Sequence, residues 1–292
     1  MSNPTRYLLF TLAAPIASFG TIAVGERRPT ADRPAKSAII GMIACALGIE
    51  RTQEDKLRDL TASLGYAVRV EDAGLLASDY HTTQVPPARR NRRFATRAEE
   101  LAVPKHELKT ILSAREFRTG VLATICVWLK APGPKTLDEM EAALKSPTFV
   151  LFAGRKAHPL MLPCRPTALD AADLRAAFTA YDASEPEAIR NLKSAFNIRP
   201  RPQALQTIYA DADEVGHNQA QRIDQRRDIP ESRAKWRFGL RSEAVLRRLG
   251  QGAGRSTGQA CGRMTLPGHV AGGVARPLRL AGGTAGRTGR NG

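Results

Sequence analysis

The chain has 292 residues, with 44 Lys and Arg against 28 Asp and Glu, a formal charge of +16. That balance points to polyanionic partners such as RNA, DNA or an acidic membrane surface. A hydrophobic fraction of 42% excludes global disorder, and an aromatic fraction of 5% excludes a surface tiled with stacking rings.

Arg6 to Ala13 (RYLLFTLA) suits a buried strand. The same apolar run after Arg6 imitates a short signal peptide, but Pro15 interrupts it. No apolar stretch reaches the roughly 18 residues of a membrane span. Lys36 to Ile49 (KSAIIGMIACALGI) is apolar nearly all round and is predicted to be a helix buried against a sheet. Asp32 and Pro34 upstream are helix-start signals. Tyr66 to Glu71 and Gly74 to His81 read as a strand pair, and Val121 to Lys130 (VLATICVWLK) as a central strand. Thr136 to Lys145 is a predicted helix with a Thr-x-x-Glu capping box, and Phe149 to Ala153 a further short strand. This order, β-α-β-β-α-β, is the ferredoxin-like pattern of an α+β protein. Gln206 to Ala210 and Trp236 to Leu240 are available for a second, smaller C-terminal sheet.

Between His81 and Glu116 the pattern becomes polar, basic and long, which predicts a projecting arm. Residues 247–292 hold 13 of the 24 glycines and eight arginines, with no Lys, Asp or Glu. This segment lacks the apolar content to repay its ordering entropy and reads as a disordered Gly/Arg tail, separate from a domain over 1–246. It is either a weak nucleic-acid binder or an extension without function, such as a frameshifted terminus.

Most chemical signatures fail on spacing. Cys45, Cys126, Cys164 and Cys261 form no CxxC pair, so there is no zinc ribbon, and a reducing cytoplasm is the simplest compartment. The five histidines form neither HxH nor HExxH, so the sequence supports no metal site, and no cofactor is implied. Gly25 to Ser37 ends in Lys-Ser before a helix, but Ala35 stands where a P-loop needs its second glycine. What remains is a helix start beside Arg27, Arg28, Arg33 and Lys36, either a phosphate site or a solvated basic turn. Tyr80 and His81 at the foot of the arm are candidates for an acid/base couple, or for a hydrogen-bonded turn or RNA contact.

The arm carries the clearest signal. Arg89, Arg90, Arg92 and Arg93 cluster there with Phe94, and Lys105, Lys109, Arg115 and Arg118 continue the charge. Such a run suits phosphate contacts with a steep salt dependence. Two further basic pairs stand apart: Arg155-Lys156, and Arg226-Arg227 before Asp228-Ile-Pro-Glu-Ser-Arg233.

The opening strand followed by Ala14-Pro-Ile-Ala-Ser-Phe-Gly20 resembles the CRISPR-associated CasD family, the fifth Cas family of the RAMP superfamily, in its type I-E form. The resemblance continues through Arg28-Pro-Thr30, Pro34-Ala-Lys-Ser37 with IIGMIACALGIER, Asp79-Tyr-His-Thr82 and Arg115-Glu-Phe117. It extends through the VLATICVWLK strand and Phe152-Ala-Gly-Arg-Lys156 to Arg226-Arg-Asp-Ile-Pro230 and Trp236-Arg-Phe238. It spans about residues 5–246 and rests on the ordered series rather than on one motif. The family usually ends in a compact strand and a glycine-containing turn, whereas here the chain runs from Leu246 into the Gly/Arg segment.

The resemblance implies a ferredoxin-like (RRM-like) domain with a protruding β-hairpin thumb at about 82–116. It implies a non-catalytic, cytoplasmic subunit of the Cascade surveillance complex that binds the 5′ handle of CRISPR RNA and caps the backbone. The implied partners are the Cascade backbone subunit, the large PAM-recognising subunit and, indirectly, target DNA, with no membrane. Carried over by position, the implied RNA-binding residues are Ser18, Phe19, Gly20, Arg27, Arg28, Lys36, Ser37, Tyr80 and His81, with the arm residues Arg89, Arg90, Arg92, Arg93, Lys109 and Arg115, and Arg155 and Lys156. The competing expectation is a metal-free endoribonuclease that processes precursor CRISPR RNA, as related type I-C proteins do. A basic RNA-binding module unrelated to CRISPR is the third.

Overall fold

The computed structural model describes residues 4–88, 93–202, 206–215, 220–232, 235 and 237–246. Strand β1 (Thr5–Ala17) is buried without interruption from Tyr7 to Ala14. The reason is that both faces of the sheet are covered. Leu8, Phe10, Leu12 and Ala14 enter the core beneath helix α1 (Lys36–Ala46). Tyr7 and Leu9 enter a second core on the opposite face, beneath helix α5 (Leu174–Ala183). A strand covered on both sides reads as an apolar run rather than an alternation.

One antiparallel path organises the centre. Strand β5 (Lys109–Leu129) pairs with β1, Leu8 opposite Val127 and Ala17 opposite Arg118. Strand β3 (Leu64–Asp72) lies on the other side of β5, and β6 (Thr167–Ala171) on the other side of β1, giving the order β6-β1-β5-β3. Helices α1 and α2 (Glu54–Ser63) connect β1 to β3, and α4 (Leu137–Lys145) lies between β5 and β6. The predicted capping box opens α4: Glu139 N–H donates to Thr136 Oγ1 at 3.2 Å, and Thr136 N–H to Glu139 Oε2 at 2.8 Å.

Three expectations are corrected. Tyr66 to Glu71 and Gly74 to His81 become strands but do not pair with each other; each pairs with a different stretch of β5. Phe149 to Ala153 is not a strand; its ladder pairing is limited to the isolated bridge Phe152–Pro159, and Phe149 and Val150 are exposed. The edge of β1 is instead taken by β6 at Thr5–Leu9, and farther along by single bonds, Met161 N–H to Ala13 O and Ser18 N–H to Ala153 O. A short apolar run does not reveal whether a regular partner awaits it. Among the described residues the C-terminal strands also form no second sheet. Strand β7 (Thr207–Asp211) pairs with β3, β9 (Arg237–Leu246) with β7, and β8 (Ala220–Ser232) with β9, so the sheet continues as β3-β7-β9-β8. β3 is buried along most of its length, so the backbone groups on its outer edge demand a partner.

β5 runs on beyond the sheet. Its first half pairs with β4 (Leu75–Val85), from Val85 opposite Lys109 to Leu75 opposite Thr119. The predicted basic arm is therefore a long hairpin rooted in the central strand. Its connecting segment carries the one-turn helix α3 (Arg97–Glu100). Arg89, Arg90 and Arg92 lie outside the described residues, as does the Gly/Arg segment 247–292.

Candidate nucleic-acid interface

The loop after β1 is held by backbone bonds rather than by packing alone. Phe19 N–H donates to Thr30 Oγ1 at 2.9 Å, and Ala31 N–H to Phe19 O at 2.7 Å. The two-residue strand β2 (Arg27–Arg28) pairs in parallel with Ala114–Arg115 of β5. Glu116, buried at the root of the hairpin, gathers the pieces. Its carboxylate accepts from Arg27 Nε at 2.7 Å and from Thr30 N–H at 3.2 Å. Its carbonyl accepts from Ser18 Oγ at 3.1 Å and from an Arg155 guanidinium nitrogen at 3.2 Å. The Arg27 hydrogen bonds outweigh burial and hold the Glu116 carboxyl below the usual carboxylate range.

Gly154 seats the Arg155 loop. Its φ is +87°, and a Cβ there would stand 1.9 Å from Ser18 O, so only glycine fits. The result places Arg155, half-buried, beside Arg115. Burial and then the positive charge of Arg115 lower the Arg155 pKa, with Asp79 acting weakly in the other direction.

These loops form one wall of an open cleft of about 1350 Å³, lined by Ser18 to Ala23, Arg28, Arg115, Gly154 and Arg155. The N-terminus of α1 contributes Ala35, Ser37 and Ala38. The opposite wall is the β8–β9 hairpin, with residues 225–228 and 237–240. The space exceeds the ~300–1,000 Å³ of a typical small-molecule pocket and suits a stretch of chain. Six arginines line it (Arg28, Arg115, Arg155, Arg226, Arg227 and Arg237) against two carboxylates, Asp228 and Glu231.

Asp228 is already committed. Arg241 grips it with two bonds, Nε to Oδ1 at 2.9 Å and a terminal nitrogen to Oδ2 at 2.8 Å. Arg241 also reaches Asp211 at 3.0 Å and Glu243 at 2.7 Å. Arg33 donates to Glu243 from Nε at 3.1 Å and stacks 3.7 Å over Tyr209. Burial pushes Asp228 up, but Arg241, the Lys36 N–H and Arg226 outweigh it and hold its carboxyl below its usual value. This cluster joins the β8–β9 wall to α1 behind the cleft.

The structure brings Ser18, Phe19, Gly20, Arg28, Ser37, Arg115 and Arg155 to the cleft. Phe19 is buried, so its ring anchors the loop. Arg27 sits beside it, held by Glu116. Lys36 is 5% exposed and turned into the ion cluster, its Nζ 2.8 Å from Asp211 Oδ2. A helix start with Lys at its first position leaves open which way the side chain points; the carboxylates of β7 and β8 decide it. Lys156 is exposed next to Arg155. Tyr80 and His81 lie midway along the hairpin, opposite Ala114 and Ser113, and Lys109 and Arg93 are exposed farther out. Sequence reasoning missed Arg237 and the organising role of Glu116. It noticed the Arg226-Arg227 pair without placing it. Only strand pairing brings these residues to the site.

Fold and cleft together define a mixed α/β protein with a large antiparallel sheet and an arginine-lined groove. The chain belongs to the CRISPR-associated protein (Cas_Cas5) family, whose model matches residues 7–242. It is 27% identical over 186 residues to the CRISPR system Cascade subunit CasD of Escherichia coli (strain K12), covering 60% of this chain and 77% of that protein. Its fold is similar to that of a chain in a CRISPR RNA-guided surveillance complex. The TM-score is 0.53 at 23% identity, over 83% of this chain and 90% of that one.

Proposed function

We propose that this chain is a non-catalytic, cytoplasmic subunit of a type I-E Cascade complex that binds the 5′ handle of the CRISPR RNA and caps one end of the backbone. The observation that carries the reading is the arginine-lined cleft at the root of the hairpin. Phosphates hold a strand by such contacts, while splayed bases take stacking and edge contacts.

The order β6-β1-β5-β3, antiparallel throughout with helices in the connections, supports a ferredoxin-like core. The β4–β5 hairpin has the position expected of a thumb, and its exposed Tyr80, Lys109 and Arg93 offer contacts to RNA or to the neighbouring backbone and large subunits. Target DNA is then met through the guide. Strand geometry supports a non-catalytic role. Adjacent residues of β4 point to opposite faces, so Tyr80 and His81 do not converge on one scissile bond.

The test is co-expression with the other Cascade genes and a CRISPR array, with purification through a tag on this chain. A stoichiometric complex with mature guide RNA is the expected product. The double variant Arg115→Glu/Arg155→Glu is expected to lose the RNA. Recovery of this chain alone, or with RNA of random sequence, overturns the assembly reading; cleavage of precursor RNA without metal overturns the non-catalytic one.

A further inference from the structure

The β8–β9 hairpin faces the residues that the handle reading relies on, and nothing in that reading requires it. Its surface is nevertheless built for an anionic strand. Arg227 of β8 and Arg237 of β9 line the cleft and are exposed. Among the described residues the Arg227 side chain makes no hydrogen bond or ion pair, and neither does that of Arg115 across the cleft. Arg237 has only Glu231, at 3.7 Å and well solvated on both sides, a contact too loose and screened to satisfy it. Arg226 differs: it is half-buried, donates to Arg33 O at 3.1 Å and faces Asp228 and Glu243 at 3.6 Å each. It belongs to the wall, not to the ligand.

The two walls also carry apolar surface. Ile22 on the near loop is 68% exposed and Leu240 on β9 is 59% exposed, and both line the cleft. Exposed aliphatic faces beside unpaired guanidinium groups match an unstacked base next to its phosphates. They carry no donor or acceptor that distinguishes one base from another.

We infer that the β8–β9 hairpin is the second wall of the RNA site, with Arg227 and Arg237 taking backbone phosphates across from Arg115 and Arg155, so that a single strand threads between two arginine pairs. The inference rests on the handle reading and deepens it. The far wall selects a single-stranded phosphodiester and contributes affinity rather than sequence preference.

The experiment is fluorescence anisotropy with the full chain and a short single-stranded RNA taken from the repeat of the associated CRISPR array. The same strand in an RNA duplex and an unrelated strand of equal length are the comparisons. The variants are Arg115→Glu/Arg155→Glu for the near wall and Arg227→Ala/Arg237→Ala for the far wall, each first shown to be folded by circular dichroism. The far-wall variant is expected to bind both single strands about 10-fold or more weakly at low salt, and its slope of log K against log salt to shrink by about 1.4, two phosphates at ~0.7 each. Its preference between the two strands is expected to stay unchanged. Wild-type affinity and slope in the far-wall variant, with loss in the near-wall variant, overturns the second wall and leaves the handle reading intact. Equal binding of duplex and single strand by the wild type overturns the threading inference. Absence of RNA binding by the wild type overturns both.

Discussion

Asp228 of β8 accepts the backbone N–H of Lys36 at 3.0 Å, so the first helix is capped by a strand almost two hundred residues farther along the chain. The local N-cap position is Ala35, which has no side chain to do this. The same carboxylate is held by Arg241. The cap of α1 and the bidentate grip of Arg241 therefore share one residue.

Asp228→Ala is expected to destabilise the chain by about 3 kcal/mol or more, since it leaves the Arg241 guanidinium buried without its bidentate partner. Equilibrium urea unfolding checks this. An Asp228→Ala variant within 0.5 kcal/mol of wild type would show that the cluster does not hold the wall to α1.

Two carboxylates at separate places in the fold set an acid limit. The folded pKa values of Asp228 and Glu116 are both depressed. A depressed carboxylate contributes stability above its unfolded value, near 4, and loses it as pH falls through the lower folded value. Stability is therefore expected to decline from about pH 4 downward. In Asp228→Asn and Glu116→Gln the decline should be shallower, which urea midpoints across pH 2–6 would measure.

Gly154→Ala is expected to cost about 2 kcal/mol or more, because the left-handed backbone and the 1.9 Å approach to Ser18 O leave no room for a methyl group. RNA affinity should fall with it as the Arg155 loop moves. Gly20→Ala is the control: a Cβ there meets nothing within 4 Å, and a change within about 0.5 kcal/mol is expected.

Thr136→Ala removes the capping box of α4, far from the cleft. A loss of about 1 kcal/mol is expected with RNA affinity unchanged. A parallel fall in affinity would show that α4 contributes to the interface.

The sequence by itself determined the elements whose signal is local. The buried strand after Arg6, the apolar helix from Lys36, the strand at Val121 and the Thr136–Glu139 box each carry their pattern within about a dozen residues. The polar, basic arm was equally legible, because a long charged segment between apolar strands has no core to join. The family series, spread over the body, likewise survives in the order of its motifs.

Tertiary structure alone decided the site. Whether Phe149 to Ala153 became a strand depended on which segment pairs with the edge of β1, and there the regular partner is β6. Whether Lys36 faced the cleft or the interior depended on Asp211 and Asp228, which arrive only when β7 pairs with β3 and β8 with β9. Arg227 and Arg237 stand opposite Arg115 and Arg155 for the same reason. Periodicity records the face of an element that is buried, and carries no information about which distant carboxylate or guanidinium will be found there.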